Sequence, residues 1–151
     1  MTDLLTSIEG TALAAWVRES PSIWAYATIL TLHTVGLAIV VGANVVVDLR
    51  LLGWAKGIPT AALQPLFPIM GAGFALNFVS GLLLFIADAT TKAGQTVFYV
   101  KLACIALALI VARTIAKRLR QQDEGNLRAL AIASLFLWAG AIVAGRLMAY
   151  L

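Results

Sequence analysis

The chain has 151 residues, 62% of them hydrophobic and 12% charged, with a formal net charge of +4. A water-soluble domain carries about 25% charged residues, so the composition excludes a soluble enzyme and points to an integral membrane protein of one compact unit. Nucleic acid is excluded as a partner, because the basic residues cluster between apolar runs; the lipid bilayer is the expected partner.

Residues 1–20 lack the basic n-region and short apolar core of a secretory signal. Asp3 and Glu9 stand where positive charge belongs, so this segment is expected to remain in the mature protein. Within it, Leu4, Leu5, Ile8, Ala12, Ala15 and Trp16 recur at helical spacing, with Asp3, Glu9 and Arg18 on the polar side. The pattern predicts a short amphipathic helix at the membrane interface, with a frayed tail as the alternative.

Residues 21–151 then hold four apolar runs of the length a bilayer requires, about 20 residues at 1.5 Å rise. They cover about 22–47, 66–87, 96–116 and 128–149. Ser20 is the expected N-cap of the first, with Pro21 in its first turn. Gly57, Pro59 and Pro65 break the chain before the second. Short connections make neighbours antiparallel, so the expected fold is all-α, an up-down four-helix membrane bundle. Gly140 and Gly145, read as lying on the membrane face of the fourth span, offer a surface for a second copy. A homo-oligomer or a larger membrane complex is therefore a candidate assembly.

Orientation follows from the basic residues. Arg50, Lys56, Arg113, Lys117, Arg118, Arg120 and Arg128 fall on one side, against Arg18, Lys92, Lys101 and Arg146 on the other. The positive-inside rule puts the basic loop 113–128 in the cytoplasm. In a bacterium this means an inner-membrane protein with both termini periplasmic.

Each polar group inside an apolar span needs a partner and is a candidate functional residue. His33, the one histidine, lies roughly 18 Å down the first span, close to the bilayer midplane. A neutral imidazole there ligates a metal or haem iron through one nitrogen while the other donates a hydrogen bond; a plain interhelical hydrogen bond is the alternative. Gly36, one turn on, leaves room for a flat macrocycle or for a neighbouring helix. Gly73, Asn77 and Gly81 form a narrow stripe on the second span. It reads as helix packing, with a cofactor-facing groove or a bond from Asn77 to His33 as the other options.

Lys101 and Arg146, near the outer ends of the third and fourth spans, either snorkel to the headgroups or face inward as cations for carboxylates. Asp48 is expected to pair with Arg113 or Lys117. Cys104, the single cysteine, reads as packing. The sequence carries no phosphate loop, no Ser–His–Asp set and no zinc-spaced Cys/His cluster, which argues against ATP use and hydrolysis.

The stretches HTVGLAIVVG (33–42), DLRLLG (48–53), SGLLLF (80–85) and FYVK (98–101) resemble a group of uncharacterised small bacterial four-helix membrane proteins. That resemblance runs from about Trp16 to the end of the third span. A thinner likeness, resting on His33, Gly42, the GLLLF run and Lys101-Leu102, joins the chain to the CopD copper-resistance membrane domains and the HemJ-type protoporphyrinogen oxidases. The HemJ likeness implies haem b, with His33 as axial ligand and Lys101 as a ligand or substrate-contacting amine.

The reading that results is a membrane protein binding haem b for electron transfer or redox chemistry. His33 is its metal ligand, and Gly36, Asn77, Lys101 and Arg146 are cofactor-side residues. A cofactor-free accessory or scaffold subunit is the alternative.

Overall fold

The computed structural model describes residues 2–20, 22–123 and 125–150. Its helices are α1 (Thr2–Glu9), α2 (Ala12–Glu19), α3 (Ile23–Leu51), α4 (Leu66–Ile86), α5 (Ala89–Gly94), α6 (Thr96–Arg120) and α7 (Leu127–Leu147), with a 3-10 turn over Thr60–Leu63. No strand occurs among the described residues.

α3, α4, α6 and α7 are each long and apolar enough to cross a membrane. Phe78, Ile110 and Phe136 stand exposed on their outer faces, a surface matched to acyl chains. Trp24, Tyr26, Tyr99 and Tyr150 are exposed near one end of these helices and Trp54 at the other. Exposed aromatic rings at the ends of long apolar helices are compatible with a membrane protein.

Two helix ends differ from expectation. The N-cap of α3 is Ser22, whose hydroxyl accepts from the Trp24 N–H at 3.3 Å. Ser20 instead closes α2 through its own N–H and accepts from Ser22 N–H at 3.3 Å. A residue before proline is pushed to extended backbone, and Ser20 has ψ 129°; Pro21 itself lies outside the described residues.

At its other end α3 continues through Asp48 to Leu51. It stops where Gly53 turns left-handed at φ 102°. Gly53 N–H bonds to Arg50 O at 3.1 Å and Trp54 N–H to Leu49 O at 3.0 Å. That pair of bonds is a Schellman closure, which favours glycine at this position.

α3 packs on α4, α6 packs on α7, and α3 meets α7 to join the two pairs. Three apolar layers run along the assembly. Val17, Ile29, Leu84 and Ala87 fill one end; Val40, Ala108 and Trp138 fill the middle; Val47, Leu63 and Ile115 fill the other end.

The N-terminal segment is two helices, broken at Gly10 and restarted by Thr11, whose hydroxyl accepts from Ala14 N–H at 3.3 Å. One face of it packs on the rest of the fold. Ala14 and Val17 are buried, Arg18 donates to Ala87 O at 3.2 Å, and Glu9 accepts from Thr90 N–H at 2.7 Å. Apolar burial and two polar clamps dock this segment on the α4–α5 corner.

Gly140 and Gly145 also differ from expectation. A Cβ on Gly140 would meet Cys104 Sγ at 3.3 Å, and one on Gly145 would meet the Lys101 stem at 3.5 Å. Both glycines are partly buried and face α6, not the outer face of α7.

Candidate functional site

His33 sits ten residues past the α3 start at Ile23, about 15 Å along the helix, and is half-buried against α4. Its Nδ1 lies 2.9 Å from the Asn77 backbone oxygen and 3.2 Å from Ser80 Oγ. A carbonyl only accepts, so Nδ1 carries the proton. The Ser80 hydroxyl donates to Leu76 O at 2.6 Å, which leaves its lone pairs free to accept from the ring. In return, Asn77 Nδ2 donates to the His33 backbone oxygen at 2.7 Å. His33 Nε2 is left with its lone pair, 3.5 Å from Asn77 Nδ2.

Glycines make this exchange possible. A Cβ on Gly36 would stand 2.6 Å from Asn77 N and 2.9 Å from Gly73 O. α3 and α4 are therefore in backbone contact, which only a residue without a side chain permits. On Gly73 a Cβ would collide with Ile39 at 2.7 Å, and on Gly81 with the imidazole Cε1 at 2.9 Å. Of the two options for Gly36, the neighbouring helix is the one that occupies its face. The stripe of Gly73, Asn77 and Gly81 is at once the packing seam and the site of the bond to His33.

Among the described residues neither Lys101 nor Arg146 hydrogen-bonds to this cluster, although the Lys101 ammonium is near enough to act on His33 through its charge. Lys101 is half-buried, with its stem laid along Gly145 of α7. Arg146 is exposed and turns outward, donating to the Tyr150 hydroxyl at 3.1 Å with its guanidinium 5.4 Å from that ring's centre.

A second polar cluster lies in the α3–α7 interface. Asn44 Nδ2 donates to Asp48 Oδ2 at 2.5 Å and to Ser134 Oγ at 2.7 Å. All three side chains are buried, and Asp48 Oδ1 has no partner. The expected ion pair to Arg113 or Lys117 does not form. Asp48 points toward α7, whereas Arg113 and Lys117 line a cleft between α6 and α4. The missed member is Ser134, a hydroxyl within the apolar run ALAIASLFLW. Its position one helix face from an intramembrane acid was not legible until α3 and α7 were paired.

Among the described residues no group of three or more His, Cys, Asp or Glu side chains converges. A haem iron would find one imidazole nitrogen in this cluster, His33 Nε2, held in a fixed tautomer. Asn77 Nδ2 approaches that nitrogen to 3.5 Å, and the α3–α4 seam beside the ring is closed to a macrocycle. No protein-family model, curated protein or solved structure matches the chain.

Proposed function

We propose that this chain is a small multi-pass membrane protein that carries haem b for electron transfer, with His33 Nε2 as the axial ligand. The observation that supports this reading is the hydrogen bond from His33 Nδ1 to the Asn77 carbonyl. Ligating histidines characteristically donate their other N–H to a carbonyl or carboxylate, which fixes the tautomer and raises the basicity of the free nitrogen. Haem, when bound, supplies one-electron chemistry whose potential follows its ligands and burial. Asn77 and Ser80 orient the imidazole, and Gly81 makes room for it. Lys101 is the candidate second ligand and Arg146 the candidate propionate contact. An inner-membrane location, with both termini periplasmic, completes the reading.

A second reading, a cofactor-free accessory subunit of a larger membrane complex, is favoured by the backbone contact at Gly36. On that reading His33 and Asn77 are a structural clasp and nothing more.

An absorbance spectrum of protein purified in detergent from haem-replete cells separates the two. A Soret band present in the wild type and lost in His33→Ala supports haem ligation. Colourless protein that brings down stoichiometric membrane partners selects the accessory reading and sinks the first.

A further inference from the structure

α4 packs on α3 and α6 on α7, and between α4 and α6 a cleft of 670 Å³ remains open. Its deep part is apolar: Phe74 of α4 faces Leu109 of α6, with Val40 between them, and Gly71 and then Phe67 continue the α4 wall toward the mouth. Its shallow part is cationic, with Arg113, Lys117 and Arg120. These three recur at intervals of four and three, which places them on one face of α6. None is in an ion pair or side-chain hydrogen bond among the described residues, and no acidic side chain lines the cleft. From Leu109 to Arg120 the helix rises about 16 Å, against about 15 Å for half of the hydrocarbon core. The cleft is thus one leaflet deep, oily inside and positive at the rim.

We propose that the α4–α6 cleft binds an anionic phospholipid. One acyl chain lies against Phe67, Phe74 and Leu109, and the phosphate is held by Lys117 and Arg120. Arg113, lower on the same face, reaches up to the phosphodiester along its aliphatic stem. Gly71 keeps the channel open: a Cβ there would meet nothing within 4 Å. Basic pockets between transmembrane helices recognise lipid headgroups in this way. The inference is independent of haem.

The test is native mass spectrometry of the full chain, delipidated stepwise from vesicles holding equal phosphatidylglycerol and phosphatidylcholine. Wild-type protein is expected to keep phosphatidylglycerol selectively. Each basic side chain near the surface contributes about fivefold in affinity, so Arg113→Gln/Lys117→Gln/Arg120→Gln together is expected to weaken retention about a hundredfold.

A triple variant of equal charge loss elsewhere, Lys56→Gln/Arg128→Gln/Arg146→Gln, is expected to retain the lipid. Gly71→Leu, which fills the channel without touching a charge, is expected to lose it. Equal retention of the two lipids, equal loss in both triple variants, or full retention in Gly71→Leu each overturns the proposal. The charge variants alter exposed side chains only, so the comparison between them stands even if Gly71→Leu fails to fold.

Discussion

His33 and Asn77 exchange hydrogen bonds through each other's backbone. The Asn77 amide donates to the His33 carbonyl at 2.7 Å, and the His33 ring donates to the Asn77 carbonyl at 2.9 Å. Each side chain thus satisfies the other helix's main chain, and the two helices are locked in one register.

Alanine keeps both backbone carbonyls, so a coupling energy is expected from the direct approach of the two side chains, Asn77 Nδ2 to His33 Nε2 at 3.5 Å, and from the shared register of the helices. In a double-mutant cycle of His33→Ala and Asn77→Ala, followed by denaturation in mixed micelles, each single change costs about 0.5–2 kcal/mol. The double variant is expected to cost less than the sum. Strict additivity would mean that the two residues do not act as a pair.

The backbone contact at Gly36 makes a sharper prediction about glycines. Gly36→Ala drives a methyl into Asn77 N and Gly73 O, forcing α3 and α4 apart at a cost of about 1–3 kcal/mol. Gly42→Ala, where a Cβ meets nothing within 4 Å, is neutral or gains up to about 1 kcal/mol of helix propensity. Thermal unfolding of the two variants side by side checks this; equal behaviour would refute the close approach.

Asp48 is buried with one carboxyl oxygen unpartnered, and among the described residues it is in no ion pair. Asp48→Asn keeps an acceptor for Asn44 and removes the uncompensated charge, so it is expected to raise the unfolding midpoint at neutral pH. Asn44→Ala strips the donor from Asp48 Oδ2 and from Ser134, and is expected to cost about 1–3 kcal/mol. A drop in stability for Asp48→Asn would show that the charge itself is required.

Glu9 clamps α1 to the start of α5, accepting from the N–H and hydroxyl of Thr90 at 2.7 and 2.8 Å. The Thr90 backbone bond, then its hydroxyl bond, hold this carboxyl below the usual glutamate range. A depressed folded value means the clamp is at full strength above the ordinary glutamate value and fades as pH falls through the lowered one. Hydrogen exchange at the Thr90 amide is expected to accelerate, relative to its intrinsic rate, on acidification. Glu9→Gln is expected to show the faster exchange already at neutral pH; an unchanged amide in that variant would rule out the clamp.

Much of this was readable in the chain itself. Four long apolar helices follow from hydropathy summed over about 20 residues, a property that needs no knowledge of neighbours. His33 stood out because a lone imidazole in an apolar run demands a partner, and Asn77 was among the options for it. The basic end of α6 was visible too, although not that its cations line a cleft.

Pairings were not readable in the same way. Lipid is as apolar as leucine, so hydropathy is nearly indifferent to which way a span is rotated. Asn44 beside Asp48 and Arg146 beside Tyr150 follow from i,i+4 spacing on one helix, but rotation decided that the first pair faces Ser134 instead of Arg113, that Gly140 and Gly145 face α6, and that the second pair turns outward. The sequence by itself determined which segments are apolar helices and which polar groups stand within them. Only the tertiary structure decided what each polar group touches on a neighbouring helix, because backbone contact at Gly36 and Gly73 fixes the phase of α3 against α4.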